Sequence, residues 1–135
     1  MKDRWIVLNI KDLLENKGII EEKVAQKTKT FEVESLKKIG DGKIIIRSID
    51  DEEYDAIEKS SKTEYEMNKN AVYRAVVEPD LRSAELHKGL NCMDNPLNIV
   101  RKIFSRAEVN KIADEIARLS DMVQKKDLVK EVKND

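Results

Sequence analysis

Cysteine is nearly absent: Cys92 is the only one in 135 residues. This excludes an intramolecular disulfide and leaves too few soft ligands for a structural zinc site. A reducing cytoplasm suits such a chain. Aromatic residues are also scarce, at 4% against 40% hydrophobic overall, so the core must be built mainly from Ile, Leu, Val and Ala, and a helix-rich protein is the natural outcome. Charge of one sign is missing too. The 26 Lys and Arg nearly cancel the 27 Asp and Glu, leaving −1 and a pI near 6.0. Nucleic-acid binding by counterion release needs a concentrated basic face, for which this balance gives no support. Long apolar runs are lacking as well. The run from Trp5 to Leu8 is shorter than a signal-peptide core and is soon followed by Lys11 and Asp12, and nothing else approaches membrane-spanning length.

What is present is a series of helix starts and stops. The chain fits one domain, expected over residues 1–122, with a helix and β-ribbon part at 1–49 and a helical part at 50–122. Residues 123–135 read as a charged helical extension or tail. Trp5–Leu8 reads as a short buried strand or as the lead into a helix, and Trp5 as a core residue or an interface anchor. Asn9 can cap a helix carrying Ile10, Leu13 and Leu14, with Gly18 as its stop. The polar segment Glu21–Thr30, with its KTKT, reads as a mobile connection. Phe31–Leu36 and the β-branched Ile44–Ile46 form an expected β-hairpin across Gly40, Asp41 and Gly42, with Trp5–Leu8 as the candidate third strand.

Asp50 with Glu53, and Ile49 with Tyr54, have capping-box and hydrophobic-staple spacing, so a helix is expected from there to about Glu58 or Lys59. Asn68 or Asn70 starts the next expected helix, with Ala71, Val72, Ala75 and Val76 on one face. It should end near Val77, because Glu78 precedes Pro79. Ser83 caps a short helix closed by His87, Lys88 and Gly89, and Asn95 with Pro96 opens another. Ser105 with Glu108, and Phe104 with Val109, repeat the box and the staple. Val109, Ile112, Ile116, Leu119 and Val123 then form the stripe of a packed amphipathic helix. Val100, Phe104, Val109, Ile112 and Ile116 are expected to be buried.

The residues that could do chemistry have structural readings. His87 sits beside Lys88 at a helix C-terminus, where positive charge is favoured, and nearness in sequence to Cys92 does not make a Cys-His dyad. Adjacent acids such as Asp50 and Asp51, or Asp114 and Glu115, do not project to one point on a helix. The GDG turn lacks the Lys-Ser/Thr and helix of a phosphate loop. No catalytic residue, cofactor or metal is therefore expected. Met122, Val123, Leu128 and Val129 lie beyond the most compact part of the stripe and are the candidate partner-binding positions, rimmed by Lys125, Lys126 and Asp127.

In order, Asp12-Leu13-Leu14, the hairpin into IRSIDDEEYDAIEK, Val76-Val77-Glu78-Pro79 and the Gly- and Pro-punctuated run closed by the Ser105-x-x-Glu108 helix resemble the XkdN-like phage tail assembly chaperones over about Asp12 to Met122. The RWIVLN segment and the Asn91–Asn95 loop depart from that pattern. The resemblance implies a non-enzymatic cytoplasmic protein of the bacterial host cell. It would hold tail-tube or tape-measure subunits during tail construction and be absent from the finished particle, with neither nucleic acid nor membrane as a partner and with room for a homo-oligomer. It implies no catalytic residues. A structural tail or baseplate component, and a small regulatory binding module, are the alternatives. The fold expected is α+β: about five helices with a small N-terminal hairpin or three-stranded ribbon.

Overall fold

The computed structural model describes residues 7–122, 129, 131 and 132. Helix α1, Ile10–Glu15, begins where the Asn9 side chain accepts the Asp12 amide at 2.9 Å and the Asp12 carboxylate accepts the Asn9 amide at 3.2 Å. Gly18 does not end it, contrary to expectation. The chain bends at Asn16, whose side-chain amide donates to the Asp12 carbonyl at 2.7 Å, and a second helix, α2, Lys17–Val24, runs through Gly18. The expected mobile connection is likewise absent: Glu21–Val24 complete α2, and Thr28–Thr30 open a strand. Helices α1 and α2 lie outside the compact unit Gln26–Val123.

Within that unit, β1 (Thr28–Glu32) pairs antiparallel with β2 (Lys43–Arg47), Phe31 facing Ile44. The first strand starts three residues earlier than expected and gives way to a 3-10 turn at Glu34–Leu36. The connection is tight. Gly42 adopts φ 65°, and a Cβ there would lie 2.7 Å from the Leu36 carbonyl carbon, so only glycine fits without movement of the backbone. Ser48 closes the other end, its amide donating to the Lys27 carbonyl at 2.7 Å and its hydroxyl accepting the Lys27 amide at 2.8 Å.

Helix α3, Asp51–Lys59, starts at Asp50, whose side chain accepts the Glu53 amide at 2.8 Å. The expected reciprocal half of the box is missing, because the Glu53 carboxylate takes both Arg47 guanidinium nitrogens at 2.7 Å. Helix α4, Glu64–Ala75, begins earlier than Asn68: Thr63 accepts the Glu66 amide, and Glu66 accepts the Lys62 amide at 2.8 Å. It ends at Ala75 rather than Val77 and passes without a loop into β3, Val76–Glu78. That strand pairs antiparallel with β2 through Ile46 and Val76, giving the order β1-β2-β3. The third strand is thus Val76–Glu78 and not Trp5–Leu8. Of the latter, Val7 and Leu8 lie in no strand, and Trp5 and Ile6 fall outside the described residues.

A cis Glu78–Pro79 bond leads to α5, Ala84–Gly89, capped by Ser83. Pro96–Asn98 form a 3-10 turn, and α6, Ile99–Ile103, follows. The last described helix, α7, is Arg106–Leu119, with both halves of the Ser105–Glu108 box formed. Its apolar stripe packs on α4 and the sheet. Val100, Phe104, Val109, Ile112 and Ile116 are all buried, as expected, with Ile46, Val72, Ala75 and Val76 beneath them. The Ser120 hydroxyl accepts the Ile49 amide at 2.8 Å, fastening the end of α7 beside the start of α3. Mainly helical α+β describes the fold: seven α-helices and one three-stranded antiparallel sheet among the described residues.

Three expected outcomes follow from this packing. Ile112, 7% exposed, should cost about 2–5 kcal/mol when replaced by Ala, read from urea unfolding. Gly42→Ala should cost more than about 1 kcal/mol, since L side chains rarely adopt its φ and the added Cβ would meet the Leu36 backbone. Glu53 has a pKa below its ordinary 4.5, held down first by the Arg47 hydrogen bonds against the opposing effect of burial, with the charges of Arg47 and Arg74 adding. A lowered folded pKa means that its contribution is complete above the ordinary value and is lost as pH falls through the folded one. Below pH 4.5 the parent should therefore lose stability more steeply than Glu53→Gln, as unfolding curves at successive pH values would record.

Candidate protein-binding surfaces

Two of the four sequence-expected partner positions are described, and they differ in exposure. Met122 is half-buried and packs with Ile49, Tyr54, Ile57 and Ile116, whereas Val129 is 94% exposed. Val123 and Leu128 lie outside the described residues.

Sequence reasoning missed a larger apolar feature. In α1, Ile10, Leu13 and Leu14 stand at helical spacing, yet Ile10 and Leu14 are 75% and 62% exposed. In α2, Ile19, Ile20 and Val24 are exposed as well, and no residue of either helix is buried. An apolar surface of this kind is a candidate for contact with other molecules when it is contiguous. Their spacing was visible in the sequence, but periodicity reports a stripe and not what covers it.

A second feature lies between β1, β2 and α7. Phe31, Val33, Ile44 and Ile112 line a cavity of about 250 Å³, rimmed by Glu32, Glu34, Glu108, Lys111 and Glu115. Lys37 lies 3.6 Å from Glu32 and 3.5 Å from Glu34, and Lys111 lies 3.1 Å from Glu115. The Lys29 ammonium stands over the Phe31 ring at 5.3 Å. Glu108 differs from the other acids of the rim. Its carboxylate accepts from the Ser35 hydroxyl and the Ser105 amide, its pKa is lowered mainly by the Ser35 bond, and no described cation lies within ion-pair distance. A wider, open groove along α4 and α7, about 480 Å³, is lined by Tyr65, Asn68, Arg106, Asn110 and Asp114. There Arg106 stacks 4.0 Å from the Tyr65 ring, Arg101 donates to the Tyr65 hydroxyl at 2.9 Å, and Asn68 donates to Asn110 at 2.9 Å, so its polar groups are largely engaged with one another.

His87 lies beside Lys88 at the C-terminal end of a helix, as expected. It sits in the last turn of α5, but its ring is buried, shares a hydrogen bond of 2.6 Å with the Leu81 carbonyl and stacks on Tyr73. The reason is that α5 lays this face against the core beside fully buried Leu81. Cys92 is buried too, and its amide donates to the His87 carbonyl at 2.9 Å. Backbone geometry explains their nearness. Among the described residues there is no group of three or more His, Cys, Asp or Glu placed to hold a metal ion, and no helix long and apolar enough to cross a membrane. His87→Leu removes the partner of a buried carbonyl and should lower unfolding free energy by about 1–3 kcal/mol, measured by denaturant titration.

These surfaces accompany a match to one family model, the phage XkdN-like tail assembly chaperone protein, over residues 10–133. No curated protein and no solved structure matches the chain. The match takes in every described helix and strand from α1 to α7, and the chain belongs to the phage XkdN-like tail assembly chaperone family.

Proposed function

We propose that this protein acts in the bacterial cytoplasm as a chaperone that binds the tail-tube protein, the tape-measure protein or both while a phage or phage-like tail is built, and leaves before the particle is complete. Family membership supplies the context. The observation that carries the binding role is the exposed aliphatic set on α1 and α2. Leaving Ile10, Leu14, Ile19 and Val24 in water forgoes the stabilisation that burial gives an aliphatic side chain, and a partner that covers them recovers it. Met122, Val123, Leu128 and Val129 are proposed as a C-terminal contact. Such a mechanism is reversible association without bond chemistry, and a client that must be released calls for an interface of modest affinity.

Co-expression of the full chain with tube and tape-measure proteins, followed by pull-down, tests this directly. Leu14→Asp with Ile19→Asp should reduce capture by about tenfold or more, the effect of losing one or two interface anchors, while the thermal transition of the folded unit stays in place. Absence of capture by the parent chain would remove the chaperone reading. Mass spectrometry of purified particles should find none of it, and stoichiometric retention would identify a structural tail component instead.

A further inference from the structure

The sheet order leaves β1 with an unpaired edge. The Lys27 carbonyl and the Val33 amide both bond toward β2. By the alternation of an antiparallel ladder, Lys29 and Phe31 face β2 as well, and the amides and carbonyls of Thr28, Thr30 and Glu32 point away from the sheet. All three residues are exposed. Edges of this kind are usually blunted by shortness, charged side chains, proline or a covering element, and of these β1 has the charges of Lys29 and Glu32. Here there is neither proline nor a described strand beside it, and the apolar cavity between β1, β2 and α7 opens next to it.

We propose that the β1 edge takes an extended segment of a client protein as an added fourth strand, with one aliphatic side chain in the cavity of Phe31, Val33, Ile44 and Ile112 and a lysine or arginine two positions away beside Glu108. Strand addition takes its affinity from main-chain hydrogen bonds and its selectivity from side chains on alternate positions. Side chains two apart on an added strand share one face, so the cavity and Glu108 can be engaged together. The basic residue is specified by charge: Lys37 serves Glu32 and Glu34, Lys111 serves Glu115, and Glu108 alone on the rim has hydroxyl and amide partners but no cation. This inference rests on the reading that the chain captures other proteins, and it names the chemistry of the captured segment.

The test uses the full chain and a short capped peptide of alternating threonines, with isoleucine at its centre and a lysine two positions to either side. Fluorescence anisotropy should show saturable binding. The same peptide with glutamates for lysines should bind about tenfold more weakly, and a version methylated on alternate backbone nitrogens should not bind. Hydrogen exchange should slow at Thr28, Thr30 and Glu32. Thr30→Pro removes one outward amide without touching the ladder to β2, and proline is tolerated at such edge positions, so this variant should fold and lose the peptide. Glu108→Gln keeps the cap, which glutamine also forms, and should shrink the preference for lysine about fivefold, in the range of single ion pairs. Unchanged peptide binding by both variants, or protection appearing on α1 and α2 instead, would overturn the proposal. A concentration-dependent dimer abolished by Thr30→Pro would assign the edge to a second copy and overturn it equally. Tail proteins captured undiminished by Thr30→Pro would sink the β1 site while leaving the chaperone role intact. Failure of the parent to capture any tail protein would count against the role itself, and the peptide data would then stand alone.

Discussion

The two-pronged bond between Arg47 and Glu53 governs how the helical part meets the sheet. Arg47 ends β2, and Glu53 lies in the first turn of α3, so the two 2.7 Å bonds set the angle at which the chain leaves the sheet. The same guanidinium also donates to the Arg74 carbonyl at 3.2 Å, in the last turn of α4. A single cation therefore bonds both a carboxylate and a helix-end carbonyl, one of the groups that a helix terminus leaves without an intrahelical partner. Both side chains are 18% exposed, and Arg74 adds a second cation 3.7 Å from Glu53. Replacing Arg47 would leave Glu53 with only the longer Arg74 contact, and replacing Glu53 would leave Arg47 with only carbonyl partners, so either change weakens a partly desolvated pair. With the end of α4 held there, Val76 emerges opposite Ile46, and β3 joins the sheet without a connecting loop.

That arrangement explains which parts of the fold were legible in the sequence. Asn9, Asp50, Ser83 and Ser105 all cap helices as their local patterns indicate, because a cap is decided within about one turn of chain. Thr63 with Glu66 carries the same signal and was overlooked in favour of the apolar residues that begin at Ala71. The Glu53 half of the Asp50 box failed for a reason no local pattern contains: Arg47, folded back from the sheet, outcompetes the N-cap amide for the carboxylate. Val76 is buried and in helical phase with Val72, so its role as strand rather than helix is settled only by pairing with Ile46. The KTKT strand has the opposite difficulty. Thr28, Lys29 and Thr30 are exposed on both faces, so no alternation of hydrophobicity marks them.

The candidate site was less legible than the core, and the cause is general. A stripe of aliphatic residues predicts that something covers it, and for α7 that cover is the rest of the domain. Ile10, Leu13 and Leu14 give the same kind of pattern but remain exposed. His87 shows the converse, since a residue whose sequence context tells only of a helix C-terminus is also a buried, hydrogen-bonded part of the core. Burial is a property of three-dimensional neighbours. It separates residues that hold the protein together from residues left at the surface.

The two kinds of surface differ in what they ask of a client. Exposed aliphatics on short helices offer non-directional attraction, roughly proportional to the apolar area covered, and tolerate many partners. A strand edge beside an acidic-rimmed cavity instead requires an extended backbone and a particular order of side chains. If the protein captures subunits before they assemble, as proposed, an open edge matters in a further way. A segment that becomes a paired strand in a finished structure has its amides and carbonyls bonded only to water beforehand, and those groups are what an open edge can bind. Under the proposed strand addition, a client segment that pairs within its own assembly would have those groups occupied, so assembly of the client would compete with the β1 edge.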